Sequence, residues 1–256
     1  MNLSKKLTSN IGKTNAQYGL IKDGDKILVG FSGGKDSLTL IHALKRMQSV
    51  APFKFELKAV TITYGMGEQV QFLAEHCKEH DIDHEIIDTQ IFDISKDKIR
   101  ENSSFCSFVS RMRRGYLYTY ALENGFNKLA LGHHLDDAME SFFMNMFYNG
   151  SLRSMPPRYK AKNGLTVIRP LIFCRERQLR AFATDNETMV IGDEACPAMR
   201  VDIKMPHARA STKEFLAKME EENPQIFTTL KASFRNIHTN TFFSEEYLDK
   251  EEDTNE

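Results

Sequence analysis

The sequence contains no tryptophan, few cysteines and no long apolar run. Only four cysteines and seven prolines occur in its 256 residues. So few cysteines argue against a disulfide-stabilised fold, and we expect reduced thiols in a cytoplasmic protein. No apolar stretch approaches the roughly 20 residues of a membrane helix, so we expect no membrane partner. The first residues are too polar and mixed for a usual signal or transit peptide.

Charge is nearly balanced over the whole chain but not along it. The net charge is −1, yet residues 244–256 carry seven acidic side chains and one lysine. We predict that residues 241–256 form an acidic disordered tail, because such a segment has little apolar surface to bury. The basic remainder is compatible with a nucleic-acid partner.

A phosphate-binding loop is the strongest local signal. Residues 32–37 (Ser-Gly-Gly-Lys-Asp-Ser) follow an apolar strand pattern at 27–31 and precede an amphipathic helix pattern. Adjacent glycines let the backbone approach phosphate oxygens, and the N–H groups of the first helical turn point at them. The spacing is not that of a Walker A loop. A ligand-free turn is the simpler alternative, which six adjacent matching residues disfavour. The predicted nucleotide-binding residues here are Ser32, Gly33, Gly34, Lys35, Asp36 and Ser37.

A second polar loop follows the predicted strand at 128–131. His133, His134, Asp136 and Asp137 lie there, at the start of a predicted helix. Because ligands of parallel sheets bind at the carboxyl ends of strands, we expect this loop beside residues 32–37. We predict that Asp136 binds Mg²⁺ and that the other three side chains support the nucleotide. Stabilisation of the helix dipole is an alternative, but it leaves both histidines unexplained.

Strand and helix patterns alternate along the chain. This alternation predicts an α/β fold, with a mostly parallel, Rossmann-like sheet and helices on both faces. We assign residues 1–25 to a polar, helical segment and 26–240 to one domain, and we assign no element to residues 149–165. Cys77 lies on an apolar helix face and is expected in the core. Further predicted strands are 55–64, 84–88 and 166–171, and predicted helices are 68–79, 95–124, 136–148, 175–183, 212–221 and 224–238.

The two loops together resemble those of the PP-loop ATP pyrophosphatases, which have an adenine nucleotide alpha hydrolase-like fold. Further stretches resemble the tRNA two-thiocytidine synthetases of that superfamily. These stretches are residues 106–115, 145–150, 155–157, 168–171 and 174–176. The resemblance implies a tRNA sulfurtransferase. In such enzymes ATP adenylates the O2 atom of the cytidine at position 32, and sulfur then displaces AMP.

Cofactors, partners and residue roles follow from the same resemblance. It implies ATP and Mg²⁺ as cofactors, and tRNA and a sulfur donor such as a cysteine desulfurase as partners; a homodimer is compatible with it. Catalytic roles fall on Lys35 and Asp36, with Cys106 and Cys196 handling sulfur. The implied tRNA phosphate contacts are Arg111, Arg113, Arg114, Arg153 and Arg158.

Val109 departs from the family pattern. Family members commonly bind a [4Fe–4S] cluster through three cysteines, whose positions hold Cys106, Val109 and Cys196 here. Valine cannot bind iron, and two thiolates are too few for an ordinary cluster. Three hypotheses stay open. In the first, Cys174 supplies the third cluster ligand. In the second, Cys106 and Cys196 act without iron, one as the persulfide carrier and the other as the resolving thiol. In the third, the chain has lost thiolation and only binds nucleotide and RNA.

Two other functions are also open. A lysidine-type tRNA ligase joins an amine to cytidine and needs no cysteine at its site. A non-catalytic ATP-binding or RNA-binding relative would bind its ligands without releasing pyrophosphate. One further departure bears on this choice, because the strand end at residues 63–65 lacks the acidic residue that many relatives have.

Overall fold

A computed structural model describes residues 1–98, 105–192 and 207–243. The chain divides into two compact units, Met1–Ala210 and Ser211–Glu256. From residue 244 onward, the predicted acidic tail lies outside the described residues. Within the described ranges, no helix combines the length and apolarity needed to cross a bilayer.

The first unit is built on a sheet that has six strands in the described part of the chain, in the order β3-β2-β1-β4-β6-β5. The strands are β1 (Lys26–Gly30), β2 (Glu56–Ile62), β3 (His84–Ile87), β4 (Lys128–Ala130), β5 (Arg158–Lys160) and β6 (Thr166–Ile168). Neighbouring strands pair in parallel, except that β5 and β6 are antiparallel. The strand order reverses between β1 and β4, and such a reversal point is where parallel sheets bind ligands.

Helices follow most of the strands. In the first unit they are α1 (Lys5–Tyr18), α2 (Lys35–Val50), α3 (Gln71–Glu79), α4 (Ile91–Lys98), α5 (Phe105–Glu123), α6 (Leu135–Asn149) and α7 (Glu176–Asp185). Helix α8 (His207–Glu222) crosses the boundary between the units, and α9 (Ile226–Ser233) and a 3₁₀ turn (Thr239–Thr241) lie in the second unit.

Alternate residues of β1 pack into apolar clusters on the two faces of the sheet. Ile27 and Val29 join side chains of α1, α2, α3 and α7, which we call the α2-side core. Leu28 joins side chains of α4 and α5, which we call the α5-side core. Both faces are therefore covered, as the predicted α/β fold requires. Cys77 lies fully buried in the α2-side core, and burial raises the pKa of its thiol to about 12.

Strand β5 was not expected from the sequence. Its residues are Arg-Tyr-Lys, exposed at both ends, and it pairs with β6 at the edge of the sheet. An edge strand of three mostly polar residues carries no apolar alternation, so the pattern gave no signal. No strand or helix was predicted for residues 149–165, and this prediction is wrong at β5.

Helix α3 begins at Gln71, three residues later than predicted. The carboxylate of Glu68 instead accepts the backbone N–H groups of Tyr64 (2.7 Å) and Met66 (3.1 Å). It thereby closes the turn after β2 rather than the first turn of the helix.

A buried ion pair joins the start of β1 to β4. Lys128 Nζ lies 2.6 Å from Asp25 Oδ2, and neither side chain is more than 10% exposed. Burial opposes ionisation of Asp25, but hydrogen bonds from Lys128, Lys22 and Asn127 outweigh it and lower the pKa of this carboxyl. The carboxyl of Asp25 therefore stays ionised in the folded protein at neutral pH.

We expect Asp25→Ala to lower the free energy of unfolding by about 3–5 kcal/mol, because it leaves the buried charge of Lys128 unpaired. Urea denaturation followed by circular dichroism measures the change. Lys26→Ala is the matched control, since Lys26 pairs with Glu56 at the surface, where both side chains are about half exposed or more. That control should cost less than about 1 kcal/mol. Equal costs for the two variants would contradict the expectation.

Candidate active site

The loop of residues 32–37 connects β1 to α2. Ser37 Oγ accepts the backbone N–H of Ser32 (3.1 Å) and donates to the carbonyl of Gly34 (3.0 Å), which fixes the turn. Gly34 is the N-cap of α2, and no side chain of the described residues caps it. The first N–H groups of α2 therefore point outward, ready to bind an anion.

Gly33 is held under the segment that follows α7. Its φ is +78°, and an added Cβ would lie 2.6 Å from Ile191 Cδ1. Ile191 N also donates to the Gly33 carbonyl, at 2.9 Å. The segment around Ile191 thus covers the phosphate loop, and this position accepts only glycine without strain.

We expect Gly33→Ala to destabilise the protein by about 1–3 kcal/mol, because it combines an unfavourable φ with a contact to Ile191. Chemical denaturation measures the change. Adding Ile191→Ala should recover part of it, since the contact is relieved while the φ strain stays. Gly12→Ala in α1 is the control: no atom lies within 4 Å of its Cβ, so it should stabilise by about 0.5–1 kcal/mol. An unchanged Gly33→Ala variant would contradict the account.

The second loop lies directly against the first. A Cβ on Gly132 would meet the carbonyl carbon of Asp36 at 3.1 Å and the amide nitrogen of Ser37 at 3.2 Å. His134 is the N-cap of α6: its Nδ1 accepts the N–H of Asp137, and Asp137 Oδ2 accepts the N–H of His134. The two loops lie side by side at the carboxyl edge of the sheet, as predicted from the sequence, and the structure places them at the reversal point of the strand order.

Asp36 carries a buried oxygen with an unfilled hydrogen-bonding capacity. Its Oδ1 is inaccessible to solvent and accepts no hydrogen bond from any described residue. Lys35 Nζ lies 3.4 Å and His134 Nε2 3.8 Å from this oxygen. Burial raises the pKa of Asp36, against the opposing charges of His134 and Lys35. Lys35 thus forms an ion pair with this oxygen but no hydrogen bond to it, which leaves room for a closer cation or donor.

The start of α7 connects both loops. Glu176 Oε1 lies 3.2 Å from Lys35 Nζ, and its backbone N–H donates to Asp136 Oδ2 at 2.7 Å. Arg175 donates to Asp136 as well, with Nη2–Oδ1 at 3.0 Å and Nε–Oδ1 at 3.1 Å. Burial disfavours the charged form of Lys35, but Asp36 and Glu176 outweigh it and raise the pKa of the ammonium group.

These contacts give Asp136 a structural role in addition to the Mg²⁺ role predicted for it. Both of its oxygens are occupied by Arg175 and Glu176, so it braces α7 against α6. The oxygen of Asp36 that accepts no hydrogen bond is a second carboxylate oxygen at this edge of the sheet. The sequence placed residues 174–176 in a family motif but gave Arg175 and Glu176 no role.

His133 is paired with a buried arginine. Arg169, 7% exposed, donates from Nε to His133 Nδ1 (3.2 Å) and from Nη1 to the carbonyl of Pro156 (2.7 Å). Its guanidinium carbon lies 5.1 Å from the centre of the Tyr159 ring. Burial, with the charges of Arg169 and Arg114, lowers the pKa of His133 to about 4. The imidazole is therefore neutral at pH 7, and its Nε2 carries the proton.

Two further contacts were not anticipated from the sequence. Arg209 donates to Asp137 Oδ1 at 3.0 Å and to Glu140 Oε2 at 2.9 Å, so it neutralises carboxylates at the start of α6. Thr63 Oγ1 donates to Asp88 Oδ1 at 3.0 Å. Asp88, at the end of β3, thus places a carboxylate beside the strand end that lacks one of its own.

The five arginines expected to contact tRNA lie in the first unit. Arg111 and Arg114 are exposed on α5. Arg153 is exposed in the segment before β5, and Arg158 is exposed at the first position of β5. Arg113 is half-buried and donates to the hydroxyl of Tyr64, at 2.9 Å. Exposed guanidinium groups are suited to phosphate contacts.

The cysteine positions are only partly described. Cys106 lies in α5 with its side chain outside the description, and Cys196 falls in residues 193–206, outside the described residues. Val109, one turn after Cys106, is buried in the α5-side core. Cys174 is fully buried in the α2-side core, on the other face of the sheet. Cys174 is therefore poorly placed to substitute for a ligand at position 109.

Comparison with known proteins gives a consistent result. A model of the PP-loop domain family matches residues 3–201. The chain is 42% identical over 235 residues to a tRNA-cytidine(32) 2-sulfurtransferase of Geobacter metallireducens, covering 91% of this chain and 90% of that protein. It is 38% identical over 239 residues to the protein of that name from Pseudomonas putida, with coverages of 92% and 85%.

The fold is similar to that of a solved structure, the U34-tRNA thiolase NcsA from Methanococcus maripaludis with its [4Fe-4S] cluster. The TM-score is 0.73 at 20% identity, over 91% of this chain and 77% of that one. The family model matches most of the chain, and the identity to the sulfurtransferases extends over about nine-tenths of it. The chain belongs to the PP-loop domain family and, within it, to the tRNA-cytidine(32) 2-sulfurtransferases.

Proposed function

We propose that this chain adenylates and thiolates the cytidine at position 32 of tRNA, using ATP. The observation that carries the proposal is the 42% identity to a sulfurtransferase, which extends over nine-tenths of both chains. The site supports it, because a phosphate loop, a lysine and an orphaned carboxylate oxygen meet at the reversal point of the sheet.

ATP cleavage requires charge to be neutralised on the departing pyrophosphate. The α2 N-terminus binds the phosphates, and Lys35 turns from Glu176 and Asp36 towards them. Asp36 is the residue that would hold Mg²⁺, which supplies Lewis-acid stabilisation when bound. The O2 atom of cytidine attacks the α-phosphorus, the bond to the β-phosphate oxygen breaks, and pyrophosphate leaves. His133, neutral because its pKa is lowered to about 4, keeps a proton on Nε2 that can be donated to the substrate at this edge.

Sulfur transfer is assigned to Cys106 and Cys196. One of them carries a persulfide, whose terminal sulfur attacks C2 of the adenylated base while AMP leaves with the former O2. The thiolate of the other attacks the carrier sulfur, which releases 2-thiocytidine and leaves a disulfide. A cellular dithiol reduces that disulfide, and a donor such as a cysteine desulfurase reloads the persulfide. A cytoplasmic setting keeps both thiols reduced between cycles.

Chain geometry is compatible with a sulfur role at the loop. Ile191 contacts Gly33, and Cys196 follows it by five residues. In sequence, Cys196 is therefore close to the residue that covers the phosphate loop.

An iron–sulfur cluster fits these residues poorly. The position that would supply a third cysteine is Val109, packed in the α5-side core, and Cys174 is buried on the opposite face. The proposed sulfur transfer therefore uses the two thiols without a cluster. Iron and sulfide analysis of protein purified under anaerobic conditions decides the point: about four irons per chain would overturn the thiol-only route.

Nucleoside analysis tests the proposed reaction. In a strain that lacks this gene, 2-thiocytidine should disappear from total tRNA and return when the gene is supplied on a plasmid. An unchanged level in the deletion strain would contradict the proposal. Loss of lysidine instead would favour a lysidine-type ligase, and no change in any nucleoside would favour a non-catalytic binding protein.

A further inference from the structure

Three histidines converge away from the nucleotide site, between α2 and α3. His42 lies on α2, His76 on α3, and His80 directly after the end of α3. One ligating nitrogen from each lies within 4.8 Å of the other two. Nε2 of His42 is 2.8 Å from Nε2 of His76, and the three ring centres are 4.5–5.0 Å apart.

The spacing has a helical cause. His76 and His80 are four residues apart, so they share one face of a helical turn, and His42 faces them from another helix. Two imidazoles at this spacing with a third group from elsewhere is the arrangement by which proteins build His-rich metal sites.

Ordinary packing explains this cluster poorly. One histidine ring against Phe182, 6.0 Å from His42, would fill the space as an aromatic residue does. The ligating nitrogens of the three rings all lie within 4.8 Å of one another, and the one hydrogen bond between His42 and His76 leaves the third ring's nitrogen unaccounted for by packing. His42 is 7% exposed and the other two are half-buried, so the shared point is shielded on one side and open on the other.

The distances match a small transition-metal ion. Zn²⁺ binds imidazole nitrogen at about 2.0–2.1 Å in tetrahedral sites, which places ligand nitrogens roughly 3.3 Å apart. The nitrogens here span 2.8 Å to 4.8 Å, so small ring rotations would bring all three to that separation. Ions such as Mg²⁺ prefer oxygen ligands, so a site with three imidazole ligands suits them poorly.

We propose that His42, His76 and His80 form a site for a divalent transition-metal ion, Zn²⁺ in the first instance, with water in the fourth position. The ion would join α2 to α3. Helix α2 begins at Lys35, so the site lies two turns along the helix that binds the phosphates. Its role is structural, and it is separate from the thiols and from the nucleotide.

Metal titration of the full-length protein tests the proposal. Chelator-treated, desalted protein is titrated with ZnCl₂, followed by calorimetry, and bound zinc is counted after gel filtration. We expect one Zn²⁺ per chain, and a melting temperature raised by about 5–10 °C at a 100-fold excess over Kd. No binding, or binding without a rise in the melting temperature, would overturn the proposal.

Variants separate this site from the thiols. His80→Gln should weaken binding at least about 100-fold, because it removes one of three ligands. The control, His238→Gln at an exposed histidine, should change nothing. The Cys106→Ser/Cys196→Ser double variant should still bind one Zn²⁺. Zinc retained by His80→Gln and lost from the cysteine variant would place the metal on the thiols and overturn the assignment.

Cobalt provides a second readout that does not depend on stability. Co²⁺ bound by three imidazoles gives visible d–d bands without the near-ultraviolet sulfur-to-cobalt band of thiolate sites. We expect the former alone in wild-type protein, and its loss in His76→Gln. A thiolate band that disappears in the cysteine variant would contradict the proposal.

Discussion

We expect replacement of Lys35 by alanine to lower tRNA-dependent formation of AMP and pyrophosphate by roughly 10²- to 10³-fold, the usual cost of removing one preorganised group that stabilises a transition-state charge. Lys35 stands at the first position of α2, and its ammonium group is held by Asp36 and Glu176 at the edge of the phosphate loop. The raised pKa of Lys35 keeps it charged throughout the assay range. Release of ³²P-labelled pyrophosphate measures the effect.

The matched control is Lys45→Ala. Lys45 lies on the same helix and pairs with Asp81, an almost fully exposed carboxylate, at 2.8 Å. This variant removes an equal charge from α2 without touching the loop, so it should retain wild-type turnover. If the Lys35→Ala and Lys45→Ala variants both released pyrophosphate at the wild-type rate, the assignment of residues 32–37 to phosphate binding would be wrong.

We expect replacement of Cys106 or Cys196 by serine to abolish 2-thiocytidine formation while ATP is still cleaved to AMP. Serine cannot carry or resolve a persulfide, whereas adenylation depends on the loop and on Asp36. Each variant is assayed for labelled AMP and for thiolated nucleoside in one reaction. The account predicts AMP without thiolated product.

Cys77→Ala controls for the general loss of a thiol. Cys77 is fully buried in the α2-side core, and its high pKa makes the thiol unreactive. Its replacement should lower stability slightly and spare thiolation per folded molecule. 2-Thiocytidine formed by the Cys106→Ser/Cys196→Ser double variant would contradict the sulfur roles of these residues. Lysidine formed by that variant would instead support the lysidine-type alternative, which requires no cysteine.

Local patterns were sufficient to predict much of the fold and the meeting of the two loops. Residues 32–37 and 132–137 each follow an apolar strand, and parallel strands bring their carboxyl ends to one edge. The family motifs added the substrate class, and the comparisons support it. Strand β5 was not predicted, because a short polar edge strand has no periodic pattern of apolar residues.

The contacts that complete the site depend on tertiary structure. Glu176 meets Lys35, and Arg209 meets Asp137, across long separations in sequence that no local pattern spans. Asp136 is predicted as a metal ligand from its place at a strand end, and its ion pair with Arg175 was not predicted because the two residues lie far apart in sequence. His76 and His80 show a helical spacing that could have raised a metal hypothesis. The third ligand, His42, is revealed only by the packing of α2 on α3.

Stoichiometry in a reconstituted reaction tests the central claim most directly. Purified protein is incubated anaerobically with unmodified tRNA, ATP, Mg²⁺, a persulfide donor and a dithiol, and AMP is counted against 2-thiocytidine mapped to its tRNA position. The account predicts equal amounts of AMP and of 2-thiocytidine at position 32, and no thiolated product without ATP. Thiolation without ATP, or release of ADP in place of AMP, would contradict it.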